Sequence, residues 1–327
     1  MNPELFVVSA ETPDLHERIR VAVANIPVSE THVEASFLGR PIRTRSRLKS
    51  LHQLLNDIVR YGSKAESRID LVVFPEVCIP HGWGNILVSW ARKHQIGAIV
   101  GLEHRVDGDN FAINEILTAL PYRVQNNKEC MPIYRRKALY SPDEIFILKN
   151  NHLKIPEEDR TAFPTSRQHL YQWRGASFAV YNCYELTCIE QRGIFMGRVD
   201  FIVCSQFNRD IGYFSNIVES ASRDLHCYII QANDSKYGDS RVVSPSRTEM
   251  MNPLRIKGGD NLTFLTMEIN LKALRDHQRK CYGLQKDSAQ FKPTPPGMKL
   301  QHVEGRINLG NRVSPGDRFT KPRSGLI

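Results

Sequence analysis

Three side chains of complementary chemistry stand where apolar runs end: Glu76 closes LVVFPE, Lys137 closes PIYRRK and Cys183 closes FAVYNC. A thiolate can attack the poorly electrophilic carbon of an amide or nitrile and divide its hydrolysis into formation and breakdown of a thioester or thioimidate. A free thiol is mostly protonated near neutral pH. A carboxylate within hydrogen-bond reach must therefore take its proton, deliver it to departing ammonia and later activate water. Negative charge then grows on the substrate oxygen or nitrogen, where a fixed ammonium and a backbone N–H stabilise it. In that scheme Cys183 is the nucleophile, Glu76 the base, and Lys137 with the amide of Tyr184 the anion-stabilising pair. Each residue alone has a plainer reading: an inert, partly buried thiol, a solvated acid after a proline, and a surface charge following Arg135 and Arg136.

Bringing such groups together requires a frame that gathers strand ends. From residue 19 onward, strand-like runs alternate with helical ones. RIRVAVANIPV is followed by a helix in RLKSLHQLLNDIVRYG, IDLVVFPE by a helix in WGNILVSWARKHQ, and then comes GAIVGLEHR. FAINEILTAL and CMPIYRRKAL have no helix between them and are expected to pair directly. SFAVYNC leads into a helix expected over 186–196, then DFIVCSQF, a helix in SNIVESASRDLHC, and the strands YIIQAN and SRVVSP. NLTFLTMEI and a helix near LKALRDHQRK close the pattern. Continuous apolar strands alternating with helices predict a layered α/β fold, in which sites collect at strand ends because loops there project side chains from a rigid sheet. With no repeat, Gly/Ser linker or interior composition break, one domain is expected over 19–284. An N-terminal extension over 1–18 and a basic, loosely ordered extension over 285–327 flank it.

Composition narrows the classes further. A chain of 327 residues that is 41% apolar can build a core without covalent staples. Its seven cysteines are odd in number and scattered, with no CxxC, which reads as reduced thiols. The start of the chain lacks the basic and apolar regions of a secretory signal, and no run approaches the roughly 20 apolar residues of a spanning helix. The expectation is a soluble, cytoplasmic protein without a membrane partner. Of the formal charge of +9, a surplus of five sits in residues 285–327, with eight Lys or Arg against three acids. A solvated tail is the plain account and a polyanion-binding arm the other. RPIRTRSRLK at 40–49 is expected to decorate a helix start. The eleven histidines include no HExxH, and there is no phosphate-binding glycine motif, so neither metal nor cofactor is indicated. Two rivals to the main scheme are Cys78, two residues beyond Glu76 but outside any strand-to-helix turn, and His226 as a histidine base for cysteine.

Taken in order, FPE at 74–76, YRRK at 134–137 and CYE at 183–185 resemble the nitrilase superfamily of carbon–nitrogen hydrolases, over residues of about 19 to 280. The resemblance implies a four-layer α-β-β-α sandwich and the catalytic roles given above. It adds a second glutamate after the lysine, matched by Glu144 in KALYSPDE with Asp143 as competitor, which orients the lysine or substrate and keeps the ammonium charged. It implies a homo-oligomer, dimer or higher, acting on a small molecule: an amide first, or a nitrile or carbamoyl compound. Trp83, Tyr140, Tyr184, Phe207 and Asn208 flank the motif strands as pocket or core residues. Thr187 and Ile189 depart from the family's arginine and proline, while Glu190 keeps its acid. The run SNIVESASRDLHCYIIQANDSKYGDSRV is similar to a branch associated with bacterial reverse transcriptases. That leaves a scaffold or nucleic-acid-associated partner module in a defence system as the alternative.

Overall fold

Successive strand residues face opposite sides of a sheet, so a strand covered on both sides must be apolar throughout. In the computed structural model, which describes residues 4–10, 15–64, 67–156 and 167–308, this is what the apolar runs do. The strands are β1 (Glu4–Ala10), β2 (Arg18–Asn25), β3 (Leu71–Val73), β4 (Gly97–Gly101), β5 (Arg105–Val106), β6 (Ala112–Ile113), β7 (Glu115–Val124) and β8 (Asn127–Arg136). They continue with β9 (Arg167–Trp173), β10 (Ala176–Asn182), β11 (Phe201–Ser205), β12 (Tyr228–Ala232), β13 (Ser240–Val243), β14 (Leu254–Ile256) and β15 (Thr263–Asn270). The helices are α1 (Glu30–Phe37), α2 (Arg45–Tyr61), α3 (Gly84–His94), α4 (Pro142–Asn150), α5 (Ile189–Gly193), α6 (Ile211–Leu225), α7 (Leu271–Arg279), α8 (Tyr282–Lys286) and α9 (Leu300–Ile307).

A seven-stranded sheet runs β1-β9-β10-β11-β12-β13-β14 and a six-stranded sheet runs β15-β2-β3-β4-β7-β8. Their inner faces share one core: Val21, Val23, Leu71, Val73 and Ile99 meet Phe178, Val180, Phe201, Val203 and Ile230. Alternate residues turn outward. Ala22, Val72 and Val100 lie under Leu51, Leu54 and Leu55 of α2 and Leu87 of α3, while Ala179, Ile202 and Ile229 lie under Val218, Ala221 and Leu225 of α6. The result is the expected four-layer α-β-β-α sandwich. β7 and β8 pair directly as an antiparallel hairpin, as their sequences predict. Among the described residues no helix is long and apolar enough to cross a membrane.

Four segments differ from expectation. Within 1–18, β1 joins the sheet edge in parallel with β9, burying Val8 and Ala10. The helix expected over 186–196 is a 3-10 turn over Cys183–Thr187 followed by the short α5, because Cys188 between them is extended (φ −73°, ψ 104°). The C-terminal extension is packed as far as residue 308: Phe291 and Val303 are buried, and the Arg306 guanidinium lies 2.5 Å from the Asp200 carboxylate. Apolar anchors spaced among the prolines and one buried ion pair hold it, which the segment's average composition conceals. Residues 309–327 of that expectation lie outside the described residues. In the basic cluster at 40–49, Arg47 turns inward to the Cys78 carbonyl (2.9 Å) and the Glu103 carboxylate rather than decorating the surface.

Candidate active site

The ends of β3 and β11, from opposite sheets, are stapled together. The Glu76 N–H donates to the Gln206 carbonyl at 3.1 Å, and the Ser205 hydroxyl donates to the Phe74 carbonyl at 2.8 Å. Glu76 also requires a glycine opposite it. A Cβ on Gly101 would overlap the Glu76 Cα, so any side chain there must displace the acid's backbone.

Lys137 follows β8, and its N–H donates to the Asn114 carbonyl at 2.9 Å. Its Nζ lies 2.9 Å from Glu76 Oε1 and 2.6 Å from Glu144 Oε2. Glu144 is placed by the start of α4, where Ser141 and Glu144 form a capping box around Pro142 at the first helical position. Its other oxygen, Oε1, meets His104 Nε2 at 3.1 Å. Of the two acids weighed from sequence, Glu144 reaches the lysine, whereas Asp143 is exposed at the mouth of the cavity.

Cys183 begins the turn after β10 with φ +46°, a left-handed conformation costly for a residue with a Cβ and typical of functional turns. The residue is 9% exposed, and its thiol interacts with the Glu76 carboxylate and the backbone of Phe207. The turn is braced by Glu185. That carboxylate accepts from Arg135 Nη1 (2.9 Å) and Nη2 (2.6 Å), from the Ala138 N–H (2.6 Å) and from the Asn182 N–H (2.8 Å). One buried acid thus ties the lysine's strand end to the cysteine's turn. Sequence reasoning missed this brace, and it missed His104. Strand alternation in YRRK was the available signal, since it turns Arg135 away from the exposed faces of Tyr134 and Arg136.

Electrostatics assign different states to these groups. Burial pushes the Cys183 thiol well above its ordinary range, and the neighbouring Glu76 charge adds to this against Lys137, so the resting sulfur is protonated. Burial also raises Glu76; Lys137 opposes the shift and Glu144 supports it. For Glu144 burial acts in the same direction, but Lys137 and His104 outweigh it and hold the acid below the usual carboxylate range. Burial works against the charge on Lys137, but the two carboxylates outweigh it and hold its pKa well above that of a free lysine. Two adjacent acids driven apart in this way divide the labour: a permanent anion and a proton carrier.

These four groups open onto one cavity of about 450 Å³. Tyr184, Phe207 and Asn208 line it, though the Asn208 side chain is committed to a local turn with the Asp210 backbone. Trp83 does not line it. It is buried in the core with Arg47 over its ring, because the 3-10 turn before α3 points it inward. Tyr140 is likewise buried, donating its hydroxyl to the Ala112 carbonyl. Among the rivals, Cys78 sits in the core with its thiol pushed by burial up to about 12. His226 caps α6 and faces the Lys292 carbonyl at 2.8 Å, outside this cavity.

The fold that carries this arrangement is that of CN-hydrolase superfamily proteins: a mixed α/β sandwich with both sheets flanked by helices. No family model and no curated protein sequence matches the chain. Solved structures do. A CN-hydrolase superfamily protein from Xanthomonas campestris, with an arsenic adduct in its active site, is 16% identical and superposes with a TM-score of 0.53 over 84% of this chain and 98% of its own. An amidase from Nesterenkonia sp. is 14% identical, with a TM-score of 0.55 over 84% of this chain and 98% of its own. A mutant of the Nesterenkonia amidase that shows covalent addition of the acetamide moiety of fluoroacetamide at its active-site cysteine gives 13% identity and a TM-score of 0.52, over 82% and 96% of the two chains.

Proposed function

We propose that this protein is a cysteine-dependent hydrolase of non-peptide carbon–nitrogen bonds, with a primary amide as the first choice of substrate. The observation that carries the reading is the convergence of Cys183, Glu76 and Lys137 from three separate strand ends on a single cavity. As sulfur attacks the carbonyl carbon, the Cys183 proton passes to Glu76 and the carbonyl electron pair moves to oxygen, facing the Lys137 ammonium and the Tyr184 N–H. Collapse breaks the C–N bond, Glu76 returns its proton to the leaving nitrogen, and ammonia departs from a thioester. Water then loses a proton to Glu76 as it attacks, and the released thiolate recovers that proton. Glu144 keeps Lys137 charged and oriented throughout.

The Nesterenkonia amidase among the structural neighbours supports the reaction class, and the adduct in its mutant supports a cysteine nucleophile. A cytoplasmic setting fits seven cysteines that remain free in the fold. A homo-oligomer is proposed on the same resemblance. The alternative of a scaffold or nucleic-acid-associated module linked to reverse transcriptases has less support, since part of the C-terminal basic surplus is used in folding, with Arg306 on Asp200. The test is ammonia release across amides, nitriles and carbamoyl compounds. Release by wild type and none by Glu76→Gln supports the assignment, whereas equal release by both proteins overturns it.

A further inference from the structure

Beneath α6 the outer face of the seven-stranded sheet presents Ala179, Ile202 and Ile229, but two residues further along the strands the row turns polar. Cys204, Gln231 and Arg241 stand opposite one another on β11, β12 and β13, and all three are buried, as is Gln206 just beyond β11. Apolar side chains of similar volume often serve stability in such a place as well as a buried ion pair does, so packing alone gives no account of Arg241. Its Nη atoms are held by the Glu219 carboxylate (3.1 Å), the Asn252 side-chain oxygen (3.2 Å) and the Ser215 hydroxyl (2.9 Å). Its Nε donates along the row to Gln231 Oε1 at 3.3 Å, closer than the Asp239 carboxylate at 3.7 Å.

That row has only one hydrogen-bond direction, because arginine donates and cannot accept. Gln231 turns its oxygen to Arg241 and therefore its NH2 to Gln206 Oε1 (2.9 Å). Gln206 in turn points its own NH2 at the Cys204 sulfur (3.3 Å). Burial pushes the Cys204 thiol up to about 12, so it keeps its hydrogen, which it gives to the Cys183 carbonyl at 3.8 Å. This carbonyl shares its peptide unit with the Tyr184 N–H, which leaves the opposite side of the trans peptide plane. A donor on the oxygen draws electron density from the nitrogen and makes its N–H a stronger donor, and successive bonds in such a chain reinforce one another. The Gln206 backbone carbonyl also accepts the Glu76 N–H at 3.1 Å, so one residue reaches the peptides of both base and nucleophile.

We propose that Arg241 is a positioning residue, whose one-way hydrogen-bond chain through Gln231, Gln206 and Cys204 holds the Cys183 carbonyl and strengthens the Tyr184 N–H as anion donor. Its effect on rate rests on the hydrolase reading; the chain itself is tested without turnover. Two variants break it at different links. Gln231→Met frees the Gln206 amide to turn its oxygen toward the sulfur, and Cys204→Ala removes the last donor. In each, kcat should fall by about two- to fivefold at unchanged KM, the scale of one weak hydrogen bond felt in the transition state. The double variant should lose no more than Cys204→Ala alone, because both act through the same bond. Losses that multiply, a change confined to KM, or wild-type kcat in Cys204→Ala overturn the proposal.

Nuclear magnetic resonance reads the chain directly. Carbonyl-13C cysteine with 15N tyrosine picks out the three Cys-Tyr peptides, at Cys183–Tyr184, Cys227–Tyr228 and Cys281–Tyr282, and the first is the one lost in Cys183→Ala. A carbonyl that loses its hydrogen-bond donor moves upfield, as does the nitrogen of the same peptide. Both resonances of Cys183–Tyr184 should therefore move upfield in Cys204→Ala and in Gln231→Met, with Cys281–Tyr282 unmoved. Cys183–Tyr184 resonances that stay in place in both variants overturn the chain. Failure of the wild type to turn over any amide counts against the hydrolase reading alone, and the resonances then decide the chain.

Discussion

Replacing Glu185 by glutamine removes a buried charge while preserving volume, and it strands the donors gathered around one of its two oxygens. The carboxylate accepts from both Arg135 nitrogens and from the Ala138 and Asn182 N–H groups; an amide offers one acceptor oxygen and turns an NH2 toward the remaining donors. Burial lowers the Arg135 pKa, but the Glu185 charge more than restores it, so the guanidinium stays charged and, in the variant, loses its counter-ion. Breaking a buried pair from one side costs about 3–5 kcal/mol, a large share of the roughly 5–15 kcal/mol that keeps a domain folded. Urea unfolding of Glu185→Gln should show that loss, together with depressed turnover on any accepted amide. A second variant separates stability from positioning. Arg135→Met with Glu185→Leu removes both charges and should recover the part of the loss due to the unpaired guanidinium but not that due to the Ala138 and Asn182 N–H groups, and turnover should stay low because the Cys183 turn and the residues after Lys137 no longer share an acceptor. A destabilisation of Glu185→Gln below about 1 kcal/mol, the scale of an exposed pair, or wild-type turnover in the double variant, would show that Glu185 is not the brace.

The same geometry sets further outcomes. Gly101→Ala drives a methyl into the Glu76 Cα, and turnover should drop by about a hundredfold or more, the order expected of a misplaced catalytic group, whereas wild-type kcat would mean that Glu76 needs no such placement. Glu76 is the proton acceptor and burial raises its pKa to about 7, so kcat/KM should climb as pH rises through that value, when the base loses its proton. A profile already flat from pH 5 upward would remove Glu76 from that role. Arg306→Met strips Asp200 of one of its two guanidinium partners, leaving Arg275, and should cost about 3 kcal/mol in urea unfolding. A loss below about 1 kcal/mol would show that the stabilising contact lies elsewhere.

What could be read from the sequence was what local chemistry determines. IDLVVFPE and DFIVCSQF are buried on both faces and announce themselves as continuous apolar strands, and the acid, lysine and thiol at strand ends declare their types. Groups whose meaning depends on distant partners stayed hidden. Arg135 looks like one of three surface cations until β8 turns it under Glu185, fifty residues away. His104 carries no signal until α4 brings Glu144 to it. The region after Cys183 has a helical pattern, but Glu185 is drawn into the brace and Cys188 extends, so the helix breaks. β1 reads as an extension because Phe6 and Val7 stay exposed beside the buried Val8 and Ala10, and Trp83 reads as a pocket residue although its turn points it inward.

All of the proposed chemistry depends on one sulfur, and intact-protein mass after exposure to fluoroacetamide, followed by peptide mapping, addresses it directly. Displacement of fluoride by the Cys183 sulfur is expected to leave a single carboxamidomethyl group there, absent from Cys183→Ala and still present in Cys78→Ala. An adduct mapped to Cys78, or one that persists in Cys183→Ala, would contradict a Cys183 nucleophile.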